Sequence, residues 1–322
     1  MEIKMAPVSS VKNNGDLKVA VLAGGVGEER PVSLQSGGCV AKAIEAAGID
    51  VILCDVSPDR LDILDDSGID VFFIALHGRF GEDGQLQQIL EKRSLCFTGS
   101  DSNASRIAFD KAETKKVFNQ AGILTPDSIV FAPDNKEMVM RFLSQTGDKF
   151  VVKPCQQGSS VGVSIADSAA DAFSQAQQCF EKFGNCLIEK FIAGKELTVG
   201  ILNGQPLPII EIRPRNSFYD FDAKYIDDKT EYLFDTISDA RLVKKIQQQA
   251  LKCFDALGCR QIARVDFMLD KTGDAYAIEV NTIPGFTSHS LLPKAACKSG
   301  LDMSGLCLSI INNAVEDAVE NK

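Results

Sequence analysis

Residues 18–25 read KVAVLAGG, and the fold turns on them. A nearly unbroken apolar run ends in Gly24-Gly25, the pattern of a parallel strand buried on both faces. A helix is expected next, at residues 33–47. Two more strands follow, at 50–56 (DVILCDV) and 70–76 (DVFFIAL). This strand–helix–strand alternation predicts an α/β class with a doubly wound sheet, which binds ligands beyond the carboxyl ends of its strands.

The pattern changes after a helical stretch at 105–121 and the dipeptide Thr125-Pro126. Residues 150–153 (FVVK) form a short strand opening a glycine-rich loop. A helix is expected at 168–183 and a strand at 186–191. Stretches 196–202 and 206–214 flank Asn203-Gly204, a strong hairpin signal. Residues 215–236 are long, polar and irregular, and loops of that length in compact domains are usually functional or disordered. A helix at 238–257, strands at 261–269 and 275–281, and an amphipathic helix over the last twenty residues complete the chain. No internal repeat or low-complexity segment occurs.

The chain has 322 residues, 45% hydrophobic and 24% charged, as in a globular enzyme of two or three lobes. The formal net charge is -10, and no Lys/Arg-rich run occurs. No nucleic-acid or membrane partner is therefore expected. No apolar stretch is long enough to span a bilayer. Residues 1–16 lack the apolar core of a signal peptide and read as a frayed tail. The ten cysteines are scattered, without a C-x-x-C or a metal-type pairing with His. They suit a reducing compartment, so a cytoplasmic protein is expected. Cys155, beside the glycine loop, reads as a passive thiol in preference to an oxidation-prone one.

Chemistry concentrates at a few places. In Arg264-Val265-Asp266 and Glu279-Val280-Asn281 the polar residues alternate with apolar ones, so on strands they share a face. Their oxygens suit Mg²⁺, which keeps part of its water and shares nucleotide phosphates. An ion-pair cluster on a solvated sheet face would show the same pattern. The loop from Lys153 to Gly162 (KPCQQGSSVG) offers backbone N–H groups and serine hydroxyls to phosphate, with Lys153 as a point charge. It lacks the Gly-Lys-Ser/Thr ending of a Walker A loop, and a tight hairpin reads the same. The loop GGVGEER at 24–30 has Arg30 where a dinucleotide motif needs its third glycine. Its glutamates suit a cationic ligand such as an amino group, or simply favour the helix start. Asp55 ends the second strand, as a ribose-binding acid would. The two histidines, His77 and His289, both sit beside glycines at strand ends.

Taken in order, the blocks GEERPVSLQSG, ALHGRFGEDG, FTGSDSNAS, FDK, VVKPCQQGSSVGVS, IEKFIAGKELTVGIL, FYDFDAKY, LGCRQIARVDFMLD and EVNTIPGFTSHSLLP resemble the D-alanine–D-alanine ligase family of the ATP-grasp superfamily. The likeness runs from Lys18 nearly to the end of the chain. It implies an ATP-grasp fold preceded by a Rossmann-like N-terminal domain. The implied parts are a tail at 1–16, an N-terminal substrate domain at 17–103, a central subdomain at 104–194 and a C-terminal subdomain at 195–322, with a lid at 215–236.

By the same resemblance, Lys111 and Lys153 hold phosphates, and the loop with Ser159, Ser160 and Val161 closes over them. Glu189, Lys190, Phe191 and Ile192 read adenine, with Phe191, Met268 and Ile278 as walls, and Glu196 holds the ribose. Asp266, Glu279 and Asn281 match ligands of two Mg²⁺, which Mn²⁺ can replace; K⁺ is a candidate activator. Glu29 binds the first D-alanine's ammonium group, with His77 nearby. Arg264 and the Gly285 N–H form the oxyanion hole. Ser290 and the Leu291 backbone bind the second carboxylate. Lys224 and Tyr225 reach in from the lid, and Tyr225 locks onto Ser159 and Glu29. A homodimer is implied. The triplet Ala223-Lys224-Tyr225 favours a dipeptide product over D-alanyl-D-lactate. Ligases for D-lactate or D-serine, and a non-catalytic ATP-binding regulator, are the rivals. Gly27, Pro31 and Gln157 depart from the family's usual pattern.

Overall fold

The computed structural model describes residues 17–214 and 230–320. Strands β1 (Lys18–Gly24), β2 (Asp50–Val56) and β3 (Val71–Ile74) form a parallel sheet in the order β2-β1-β3. β3 is shorter than the expected 70–76. Helix α1 (Arg30–Ala46) begins three residues earlier than expected, with Pro31 in its first turn, where a missing N–H costs nothing. It lies so close to β1 that a Cβ on Gly37 would fall 2.4 Å from that of Ala23. Alternate β1 residues serve opposite faces. Val19 and Val21 pack with Val40 and Ile44 of α1, whereas Ala20 and Leu22 pack with Leu86 and Leu90 of α2 (Gln85–Lys92).

The helix expected at 105–121 is two helices, α3 (Ser102–Phe109) and α4 (Lys111–Gln120). They break at Asp110, whose extended backbone frees its carboxylate to accept from the N–H groups of Ala112 and Glu113. An internal cap thus overrides a continuous helical pattern.

A four-stranded antiparallel sheet follows, ordered β4-β7-β5-β6. Its strands are β4 (Ser128–Phe131), β5 (Phe150–Pro154), β6 (Ser164–Ala166) and β7 (Cys186–Lys190). Helices α5 (Lys136–Thr146) and α6 (Ala169–Phe183) cover it, burying Val139, Leu143, Ala172 and Ala176 against Phe150 and Ile188.

The third sheet runs β11-β10-β8-β12-β13, with β9 also on β8. β8 (Gly194–Leu202) turns through Asn203 and Gly204 into β9 (Gln205–Pro206). The two turn residues have φ of 48° and 70°, as a type I′ hairpin requires. The strand expected at 206–214 is interrupted and resumes as β10 (Ile210–Arg213). The supposed loop 215–236 contains a strand, β11 (Glu231–Phe234), which pairs with β10. Helix α7 (Ala240–Ala256) packs on one face of β8, β12 (Ile262–Asp270) and β13 (Ala275–Asn281). Phe118 of α4 joins that core, so α3 and α4 cover the third sheet. Helices α8 (Leu291–Lys298) and α9 (Met303–Glu320) return to the first sheet, where Leu306, Ile310 and Ile311 share a core with Val21 and Phe73.

Candidate active site

β12 and β13 build the floor. Ala275 and Ala277 of β13 face the core with Phe267. In a regular strand Glu279 and Asn281 would follow them inward. A register shift between Asp266 and Phe267 leaves Ile278 unpaired, so Glu279 lies opposite Asp266, and Asn281 opposite Arg264. Val280 takes the core position instead. Bulges that re-aim side chains are common beside functional sites. Here one turns two apolar-flanked polar residues out of the core.

On that floor Arg264 donates to both oxygens of Asp266, at 3.0 Å from Nε and 2.8 Å from Nη2. The Thr198 hydroxyl donates to the same carboxylate at 2.6 Å. Lys111 lies 3.4 Å from Glu279 and donates to the Gln157 carbonyl at 2.7 Å. Asn281 Oδ1 accepts from the Ile283 N–H.

Two cavities meet over the floor. Glu29, His77, Ser159, Arg264, Asn281, Gly285, Ser290 and Leu291 line the first. Lys153, Ser160, Val161, Glu189, Lys190, Phe191, Ile192, Glu196, Asp266, Met268 and Ile278 line the second. Lys111, Gln157 and Glu279 line both, so the cavities join there. Each sequence-predicted site residue within the described chain therefore borders one cavity or both. Lys224 and Tyr225 lie outside the described residues.

Around the floor, the first cavity is walled mainly by the start of α1, the loop after β3, the glycine loop and the start of α8. Gly158 approaches Glu29 so closely that a Cβ would fall 2.9 Å from Oε1, and the Ser159 hydroxyl donates to that same oxygen. The His77 ring sits 3.0 Å from the Ser36 hydroxyl. Burial, reinforced by the Arg264 charge, lowers its pKa to about 4, so the imidazole is neutral at neutral pH. Burial and the Glu29 charge push the Glu82 carboxyl well above the usual range, although the Gly78 N–H donates to it. Ser290 stands at the N-cap position of α8, but its hydroxyl accepts from the Thr287 N–H at 3.0 Å and makes no capping bond to the helix, whose start borders the cavity.

In the second cavity Lys153 makes an ion pair with Glu189 at 2.8 Å, and from behind Lys115 pairs with the same carboxylate at 2.8 Å. Burial opposes that charge, but the two ammonium groups hold Glu189 below the usual carboxylate range. Lys115 and Glu82 are the residues sequence reasoning missed. Spacing held a clue to the first: Lys115 stands four residues after Lys111, on the same side of a helix.

Two motifs take other roles. Asp55 forms a two-pronged contact with Arg30, at 2.9 and 2.7 Å, so it braces the first loop rather than awaiting a ribose. Cys155 is buried, and burial pushes its thiol up to about 12, which fits a passive role. All ten cysteines are free thiols. Among the described residues no helix is long and apolar enough to cross a membrane, and no cluster of three or more His, Cys, Asp or Glu is arranged to hold a metal. The expected metal set differs in kind: two carboxylates and one amide.

A family model described as D-ala D-ala ligase C-terminus matches residues 117–312. The D-alanine--D-alanine ligase of Syntrophotalea carbinolica is 42% identical over 297 residues, spanning 92% of this chain and 96% of that protein. The crystal structure of the D-alanine--D-alanine ligase from Bacillus anthracis complexed with ATP matches with a TM-score of 0.81 at 31% identity, covering 95% of this chain and 100% of that one. The VanG D-Ala:D-Ser ligase of Enterococcus faecalis matches with a TM-score of 0.81 at 28% identity, covering 93% of this chain and 99% of its own.

Proposed function

Because the chain belongs to the D-alanine–D-alanine ligase family, we propose that it joins two D-alanines into D-alanyl-D-alanine at the expense of ATP, for peptidoglycan precursor synthesis. Its fold is ATP-grasp, preceded by a Rossmann-like lobe. One observation carries the site reading: a cleft edged by lysines and a glycine loop opens, at Lys111 and Glu279, onto a smaller pocket with Glu29 at one side and a helix start at the other.

The nucleotide lies in the larger cavity. Its base rests along Glu189–Ile192 between Phe191, Met268 and Ile278, its ribose meets Glu196, and its phosphates reach Lys153, Lys111 and the Ser160-Val161 loop. In the smaller cavity Glu29 takes the ammonium group of the first D-alanine, with neutral His77 beside it. The carboxylate of that D-alanine attacks the γ-phosphorus, and ADP leaves an acyl phosphate. The free amine of the second D-alanine attacks the acyl carbonyl. Arg264 and the Gly285 N–H stabilise the oxyanion, and inorganic phosphate departs. Ser290 and the Leu291 N–H, at the start of α8, hold the second carboxylate. Lys224 and Tyr225 complete the site from the lid, the stretch that precedes β11.

The floor fits Mg²⁺. Asp266 and Glu279 are adjacent carboxylates on one face, Asn281 adds an amide oxygen, and cations already balance the acids. Bound there, the metal would screen the meeting of two anions. Two ions, replacement by Mn²⁺, activation by K⁺ and a homodimer rest on kinship alone. The free thiols support a cytoplasmic setting. The domain limits at 103/104 and 194/195 belong to the same proposal.

Phosphate release with ATP, Mg²⁺ and D-alanine tests the activity, with L-alanine as control. Release that depends on D-alanine and yields the dipeptide is expected. No D-alanine-dependent release defeats the proposal. Faster turnover with D-serine or D-lactate as acceptor would reassign the product.

A further inference from the structure

Lys115 has no part in the chemistry described so far. It is 3% exposed and does not border the nucleotide cavity. Its ammonium group nonetheless has three partners: Glu189 Oε1 at 2.8 Å, the Thr125 hydroxyl at 2.7 Å and the Pro126 carbonyl at 2.8 Å. Thr125 in turn donates to the Ala277 carbonyl of β13. The other Glu189 oxygen, Oε2, faces Lys153 Nζ at 2.8 Å. Two buried lysines thus share one buried carboxylate, and only Lys153 reaches the cavity. A buried charge without a partner is expensive. If Lys153 alone neutralised Glu189, moving toward a phosphate would strip the carboxylate of its counter-ion. With Lys115 behind the wall, Glu189 stays compensated whichever way Lys153 turns. Burial lowers the Lys115 pKa and the Glu189 charge opposes that, consistent with a standing ion pair.

We propose that Lys115 is a positioning residue: it is the permanent counter-ion of Glu189 and so frees Lys153 for the phosphates of the nucleotide. The inference rests on the ATP site proposed above. It predicts a particular pattern of loss. In Lys115→Met, Glu189 captures Lys153, so ATP affinity falls by about thirtyfold or more, the lower end of the cost of breaking a buried charge pair. The affinity for adenosine, which has no phosphate, changes little. KM for D-alanine is unaffected.

The experiment is calorimetric titration of the full chain with ATP·Mg²⁺ and with adenosine, alongside steady-state KM values for ATP and D-alanine. Its variants are Lys115→Met, Lys115→Arg and the double variant Lys115→Met/Glu189→Gln. Lys115→Arg keeps the charge and should restore most of the affinity. The double variant removes Lys115 together with the carboxylate it compensates, so Lys153 stays free, and although any lost base contact weakens ATP and adenosine alike, its ATP-to-adenosine affinity ratio should recover above that of Lys115→Met. A packing role would not predict that rescue. If Lys115→Met fails to fold, the double variant and Lys115→Arg still decide the matter against wild type. ATP affinity within twofold of wild type in Lys115→Met, equal losses for ATP and adenosine in that variant, or a double variant whose ATP-to-adenosine affinity ratio is no better than that of Lys115→Met (or, where that variant does not fold, falls well below the wild-type ratio) overturns the inference. A wild-type chain that binds no ATP defeats the ligase reading itself.

Discussion

Arg264 grips Asp266 through two hydrogen bonds, so one residue both compensates the carboxylate proposed to bind the metal and faces the smaller cavity. Arg264→Ala should cut kcat by about two to three powers of ten, the usual cost of losing an oxyanion donor, while ATP affinity changes little. Pre-steady-state turnover with nucleotide titration checks this, and a kcat within a few-fold of wild type would remove Arg264 from the oxyanion hole. Asp266→Ala should abolish turnover through lost metal binding; a normal rate at normal Mg²⁺ would sink the metal assignment. His77 makes a claim about pH. Its folded pKa, about 4, lies below the ordinary 6.5, so the unfolded chain takes up this proton first as pH falls. The sign follows: the histidine costs no stability above pH 6.5 and progressively more between 6.5 and 4, reaching about 3 kcal/mol. Wild type and His77→Gln should therefore converge in urea midpoint as pH drops through that window. Parallel pH curves for the two would show that the ring is not held neutral.

At the scale of elements, Asp110 shows why a helix divides. Its carboxylate caps α4 at Ala112 and Glu113 and also accepts from Gln156 of the glycine loop at 2.8 Å. Asp110→Ala should cost about 1 kcal/mol from the cap and raise KM for ATP by loosening the loop. An unfolding midpoint and a KM(ATP) both equal to wild type would refute it. Much of this scale was legible in the sequence. The largely buried strands β1, β12 and β13 and the edge strand β2 announced themselves by apolar runs and turn residues, and Asn203-Gly204 marked its hairpin. The break at Asp110 was hidden because its neighbours keep helical spacing. β11 was hidden because four residues, EYLF, follow a polar stretch. Nor could spacing reveal the bulge at Ile278: it depends on pairing with β12, although the carboxylates it aims were correctly placed on one face. Lys115 stayed concealed because Lys115-Lys116 looks like any solvated helix surface, whereas folding buries the first and exposes the second.

The whole molecule is less separable than its sheets suggest. α9 leaves the third sheet and seals the first, where Ile310 and Ile311 are fully buried among Val21, Phe73 and Val40. Phe286 packs edge-on against Phe73 at 5.3 Å between ring centroids, tying the segment after β13 to the same core. The four-stranded sheet keeps a core of its own. The outer sheets should therefore unfold as one unit, and the middle one as another. Ile310→Ala removes buried methyl groups where both outer parts meet and should cost about 2–5 kcal/mol. Hydrogen exchange can locate that cost. Amides of β1, β3 and β8 should all lose protection together, although Ile310 lies far from β8 in sequence, while those of β5 and β7 keep theirs. Loss confined to α9, or spread equally over β5 and β7, would mean that the shared core does not set the unit of unfolding. That coupling has a functional side, since Glu29 and His77 stand on the first sheet's loops and Arg264 on the third sheet. One body would then hold the proposed ammonium site and the proposed oxyanion donor at a fixed separation, and the part bearing Lys153 and the glycine loop, with a core of its own, would be the one to adjust around a nucleotide.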